Sequence, residues 1–350
     1  MRLTRRVLLN TAWWAALATP FVARAQSRTI VDDAGRSVAL PAKIARVYAA
    51  GPPASQLVFA VSPDRLLGWT THWREHERPY VAQRYADLPA LGRLTGRGNT
   101  ANIETLLAAR PDLIFDYGSV NATFASLADR VQQQTGIPYL LLDGSFDAMP
   151  ASLEKLGTAL DETARAAELA GWVRAQLALV DERLAKIPTA QRPRVYYGRG
   201  PRGLDTGLAG SINTEIIERA GAVNVAASLG RGGLAQVSLE QILAWAPDVI
   251  VTIDPNFHAS LRSDPLWRGV PAVKDGRVYL APNAPFGWVD FPPGLNRMLG
   301  LRWLCALLYP GQFPEDLRDF TADAYTRLYH QRPSEAQLDT LLASMKGLRP

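Results

Sequence analysis

The stretch Ala101-Asn102-Ile103-Glu104-Thr105-Leu106-Leu107-Ala108-Ala109-Arg110-Pro111-Asp112-Leu113-Ile114-Phe115 decides the fold, because the chain contains it twice. It aligns without a gap, 136 positions on, with Val237-Ser238-Leu239-Glu240-Gln241-Ile242-Leu243-Ala244-Trp245-Ala246-Pro247-Asp248-Val249-Ile250-Val251. Glu, Leu, Ala, Pro, Asp and Ile coincide, and most other positions exchange one apolar residue for another. Asn102 or Ser238 can cap a helix by accepting backbone N–H bonds, and Glu104 or Glu240 in the first turn suits the positive end of the dipole. Pro111 and Pro247 then end the helix, since proline lacks a donor and bars helical geometry in the residue before it. The runs Asp112–Phe115 and Asp248–Ile253 read as short buried strands. Helix followed by parallel strand, in duplicate, predicts two lobes of like α/β construction.

Outward from the repeat, further strands are expected at 46–50, 65–69 and 138–142 in the first half, and at 194–198 and 277–280 in the second. Between the halves, Ser152 to Ile187 contains no proline. Its apolar residues recur at helical spacing, from Leu153, Leu156 and Leu160 through Leu169, Val173 and Val180 to Leu184 and Ile187. One long helix, or two joined ones, therefore connects a first lobe over 26–150 to a second over 189–350, which includes terminal helices; the connector occupies 151–188. The fold class is α/β, with Rossmann-like lobes, open and mostly parallel sheets and a helical crossover. Such a crossover resists bending, because bending breaks backbone hydrogen bonds, so limited lobe motion is expected.

Residues 1–25 read as an export signal. Arg5-Arg6 precede a mildly apolar run through Trp13, Trp14, Leu17 and Phe21, which closes on Ala23-Arg24-Ala25; paired arginines there resemble a twin-arginine signal. Asn10 and Pro20 interrupt the run, which falls short of the roughly 20 apolar residues of a membrane span. The formal charge of the 350-residue chain is +5, and removing the four arginines of this segment leaves +1. A nearly neutral remainder gives no reason to expect a nucleic-acid partner. With 47% hydrophobic and 20% charged residues, the balance is that of a globular protein rather than a disordered one. The single cysteine, Cys305, lies in an apolar stretch, excludes an intramolecular disulfide and is far from the cleavage site, so no lipid anchor is expected. A free, monomeric periplasmic protein follows.

These features together resemble the periplasmic substrate-binding proteins of ABC importers for ferric siderophores, haem and vitamin B12. The resemblance rests on the export signal, Thr29-Ile30-Val31-Asp32-Asp33-Ala34-Gly35-Arg36 with Leu40-Pro41, the doubled Glu-x-x-Leu-Ala-x-x-Pro-Asp segment, the central helix, and Gly269-Val270-Pro271-Ala272-Val273-Lys274-Asp275-Gly276-Arg277-Val278-Tyr279. It implies two lobes facing each other across a shallow cleft. It also implies that Glu104 and Glu240 dock into arginines of an inner-membrane permease.

Ligands of open α/β sheets sit beyond the carboxyl ends of the strands. The loops there are rich in arginine and aromatic side chains, which suit an anionic, partly aromatic metal chelate. Tyr117, Arg199 and Trp288 are the first candidates for contact, followed by His72, Trp73, Arg97 and Tyr197. Arg297, at the start of a helix, needs an acidic partner, which Asp290 or an anionic ligand can supply, with Asp290 favoured. His72 and His76 have the spacing of two ligands on one helical face, but the chain shows no fuller metal set, so they read as incidental on a solvated helix. No resident cofactor is expected. The chain has no GxGxxG after a strand, no GxxxxGK[ST], no CxxC and no GxSxG, which removes the common enzyme sites. The expected cargo is an Fe(III) chelate, with haem or cobalamin next, then a molybdate-like oxyanion or a free metal ion.

Overall fold

The computed structural model describes residues 28–345 apart from 97, 99 and 262; the expected export signal lies outside them. The N-terminal lobe opens with the hairpin β1 (Arg28–Val31) and β2 (Ser37–Leu40) and continues through β3 (Val47–Ala49), α1 (Pro52–Val61), α2 (Gln83–Ala86), α3 (Ile103–Ala109), β4 (Leu113–Gly118), α4 (Ala122–Thr135) and β5 (Tyr139–Asp143). Its parallel sheet has the order β3-β4-β5. Then come α5 (Met149–Leu160) and α6 (Thr163–Leu184). The second lobe comprises β6 (Arg194–Gly198), β7 (Asp205–Gly207), α7 (Glu215–Arg219), β8 (Val223–Asn224), β9 (Leu234–Gln236), α8 (Leu239–Trp245), β10 (Val249–Thr252), α9 (Pro255–Ser260), α10 (Pro271–Lys274) and β11 (Val278–Leu280). Its parallel sheet has the order β11-β10-β6-β8, flanked by an antiparallel β7-β9 ribbon. Three helices close the chain: α11 (Arg297–Leu308), α12 (Leu317–Tyr329) and α13 (Glu335–Leu341).

The repeat is real in three dimensions and larger than its sequence match. Asn102 caps α3 by accepting from Thr105 N, and Ser238 caps α8 by accepting from Gln241 N. Both helices end on a left-handed residue, Arg110 (φ 43°) and Ala246 (φ 46°), each directly before the proline. That conformation costs a residue with a Cβ roughly 1–2 kcal/mol, and the turn is held by the aspartate that follows. Asp112 accepts from Arg46 N at 2.9 Å and Asp248 from Arg194 N at 2.8 Å. The two arginine side chains return to the helix ends, donating to Ala109 O at 2.7 Å and Trp245 O at 2.9 Å. The Pro-Asp of each copy is thus a clamp between a helix end and the start of the neighbouring strand, β3 or β6.

The N-terminal motif has an equally physical role. Asp32 and Asp33 stitch the first hairpin to β5, accepting from Leu141 N at 3.3 Å and Asp143 N at 2.7 Å.

Two expectations are corrected and one open alternative is decided. The segment 65–69 forms only single bridges, Leu66 to Val47 and Trp69 to Ala90, after a tight turn over Pro63–Arg65; Gly68, between them, lies so close to Pro89 O that a strand side chain has no room. The connector 151–188, left open as one long helix or two joined ones, is two helices forming a hairpin. Asp161 (φ 57°) breaks it, and Gly157 lets α5 and α6 approach closely at Ala166. Helix α5 packs on α1 and β5, leaving α6 as the crossover of 22 residues, about 33 Å long. The terminal helices, expected with the second lobe, are divided: α11 packs on α6 and α7, whereas α12 returns to α1 of the first lobe. One continuous apolar core accordingly runs from Val47, Phe115 and Leu153 through Val173 to Val195, Trp288 and Leu301.

Candidate functional site

Near its carboxyl end β4 carries Tyr117, and Gly144 directly follows β5, where its carbonyl accepts from Arg297 of the second lobe. Tyr117 is 1% exposed, yet its hydroxyl has no hydrogen-bond partner. Burial raises its pKa, and the Arg297 charge opposes the rise, so the phenol is a neutral donor. Opposite, Gln56 projects from α1 against Gly294 of the second lobe. A Cβ at Gly294 would run into Gln56 Oε1 and lie 3.0 Å from Asn296 Oδ1. Gln56 is 3% exposed, both of its amide atoms are unpartnered, and so is Asn296 Oδ1. Leaving a buried polar atom unpaired costs about 1–3 kcal/mol, so these groups at the lobe boundary call for a polar partner, whether water or ligand.

Aromatic rings wall the same boundary. Trp73 lies 4.6 Å from Trp69 and 5.1 Å from Phe286 of the second lobe, centroid to centroid, and its indole Nε1 is buried and unpartnered. Trp73 thus lies against a residue of the second lobe and keeps an unpartnered donor.

Other expected contacts are already engaged. Arg199 pairs with Asp290 (Nε to Oδ2, 2.9 Å), and the Tyr197 hydroxyl donates to the same oxygen at 3.0 Å. Asp290, fully buried, also accepts from Asn213 Nδ2 and from Phe291 N. Burial, with the Asp290 charge second, pushes the Tyr197 phenol well up. Trp288 is corrected from cleft wall to core: it is 0% exposed, and its indole N–H donates to the Tyr325 hydroxyl at 3.2 Å. Arg297 finds its acidic partner in Glu215 at 2.8 Å, not in Asp290.

His72 and His76 are exposed on an irregular segment with turns, not on a helix. Among the described residues no group of three His, Cys, Asp or Glu side chains is placed to hold a metal ion. Arg97 lies outside the described residues. Glu104 and Glu240 stand exposed in the first turns of α3 and α8, at matching positions of the repeat. A hydrogen bond from Ser238 and one from its own backbone hold Glu240 below the usual carboxylate range.

Sequence reasoning missed Gln56, Asn296 and the Arg297–Glu215 pair. Gln56 was detectable as the lone amide of an otherwise apolar helix, Pro52-Pro53-Ala54-Ser55-Gln56-Leu57-Val58-Phe59-Ala60-Val61.

No helix among the described residues is long and apolar enough to cross a membrane. The profile of the periplasmic binding protein family matches residues 69–285. The chain is 27% identical to the molybdate-binding protein MolA of Haemophilus influenzae over 346 residues, covering 92% of this chain and 94% of that one. An ABC transporter solute-binding protein from Sulfurospirillum deleyianum superposes with a TM-score of 0.82 at 29% identity, covering 91% of this chain and all of that one. The structure of MolA bound to molybdate superposes at 0.72 with 25% identity, covering 88% and 99%. With its two-lobed α/β fold and a polar site at the lobe boundary, the chain belongs to the periplasmic binding protein family, whose members serve ABC transporters.

Proposed function

We propose that this protein captures a molybdate-class oxyanion in the periplasm and delivers it to an inner-membrane permease, following export through its twin-arginine signal. The observation that carries this reading is that three buried donors, the Tyr117 hydroxyl, the Gln56 amide and the Trp73 indole N–H, have no protein partner, with Gln56 and Trp73 each against a second-lobe residue. A tetrahedral dianion presents four acceptors within a few ångströms and offers no donor. Neutral donors in a dry site bind such a dianion without a buried counter-charge and discriminate it by geometry. Similarity to MolA, which binds molybdate, supports the same cargo. A ferric chelate, first in the sequence reading, would have to part the Trp69, Trp73 and Phe286 rings that meet across the boundary. Glu104 and Glu240 are the docking carboxylates in this reading.

Titration followed by tryptophan fluorescence and calorimetry tests it, with molybdate, tungstate, sulfate, a ferric siderophore and haem as ligands. Molybdate and tungstate are expected to saturate one site, and Tyr117→Phe to weaken them about tenfold or more, the usual cost of a hydrogen bond to a charged group. Saturation by the ferric complex or haem with no response to molybdate would replace this reading with the chelate one.

A further inference from the structure

Arg297, the first residue of α11, has no exposed surface. Its guanidinium reaches four groups from both lobes. It donates to Ile212 O at 3.1 Å, to Glu215 Oε2 at 2.8 Å and, more weakly, to Gly294 O at 3.4 Å, all in the second lobe, and to Gly144 O in the first. The other Glu215 oxygen accepts from Phe146 N at 3.0 Å, and the guanidinium carbon sits 4.3 Å from the centre of the Phe146 ring. Arginine and glutamate thus grip the loop after β5 from the opposite lobe.

The grip continues to the candidate site. Gly144 N donates to Gly118 O at 2.8 Å, and Gly118 is the residue after Tyr117. Glycine is required at 144 by close approach, since a Cβ there would lie 2.8 Å from Gly118 Cα and 3.3 Å from Ile212 Cδ1. Four of its five N–H groups are committed to protein acceptors, which makes Arg297 first a fixed structural fork.

We propose that Arg297, held by Glu215, is the positioning residue of the oxyanion site: by clasping the 144–146 loop it fixes the end of β4 and hence the Tyr117 hydroxyl. This deepens the proposed function and rests on it for the identity of the ligand. A planar fork is needed, because an ammonium cannot meet carbonyls in several fixed directions.

The test compares Arg297→Lys, Glu215→Gln and Tyr117→Phe in the intact exported protein. Amide hydrogen exchange is read without ligand, and sodium molybdate is titrated at a temperature where each variant is folded. Arg297→Lys and Glu215→Gln are expected to speed exchange over 144–147 and to raise the Kd about tenfold. Tyr117→Phe is expected to raise the Kd and leave that exchange unchanged. A merely structural role would lower melting temperature and leave the Kd of the folded protein alone. Parent-like Kd and parent-like protection of 144–147 in Glu215→Gln overturn the proposal even if Arg297→Lys does not fold. If the parent ignores molybdate, the cargo reading fails by itself, and the exchange measurement still decides whether the clasp exists.

Discussion

His330 ends α12 in the left-handed region, with Nε2 2.8 Å from Phe59 O and its ring edge-on to Phe59, 5.3 Å between centres. It ties the returning C-terminal helix to α1, the helix that carries Gln56. Burial holds the imidazole below its ordinary value of 6.5, so the folded protein resists a proton that the unfolded chain accepts. The stability this confers is complete above the ordinary histidine range and is lost as the pH falls through it. His330→Asn keeps a donor and tolerates φ > 0; its melting temperature is expected to fall less than the parent's between about pH 7.5 and about pH 5.5. An equal fall would mean that other groups set the acid sensitivity. Single side chains were readable in the sequence where a strand end dictated their place, as with Tyr117. They were unreadable where a partner far along the chain decides the role. Nothing near Arg199 announces Asp290, and nothing near Arg297 announces Glu215, so one looked like a free ligand arm and the other was given the wrong carboxylate.

Helices and strands were readable in proportion to their chemistry. The doubled cap, first-turn glutamate and Pro-Asp stop specify α3 and α8 so strongly that their bounds correspond residue for residue. Whether the connector was one helix or two stayed open, because the break between α5 and α6 uses neither proline nor glycine. Asp161 takes the left-handed turn, and the decisive glycine, Gly157, lies four residues earlier at the contact with Ala166. Gly157→Ala is a test of that contact. In an isolated helix alanine would stabilise by about 1 kcal/mol, but here its methyl has no space, and overpacking costs about 1–3 kcal/mol. The urea midpoint is expected to drop with an unchanged m-value; a higher midpoint would show that the helices do not meet there.

The molecule as a whole is less divisible than its duplicated sequence suggests. Its core crosses the boundary, α12 straps back onto the first lobe, and Arg297 holds the two lobes together at the site. The sequence pattern foretold two lobes and a helical connector. It could not foretell the strap, since an amphipathic helix does not say which neighbour it covers. The proposed docking through Glu104 and Glu240 belongs to this level, because the two glutamates stand on different lobes. Reversing both to lysine is expected to abolish permease-dependent uptake in reconstituted vesicles while calorimetric affinity for molybdate stays at the parent value. Uptake that survives the double reversal would move the docking face elsewhere.

Helix α6 has a consequence for how a receptor of this kind is read by its transporter. It is an unbroken rod of 22 residues between the lobes, and bending it would break backbone hydrogen bonds. Were a transporter to touch the two acidic helix starts, such a gauge block would hold their span nearly constant, full or empty. That transporter would have to push rather than measure.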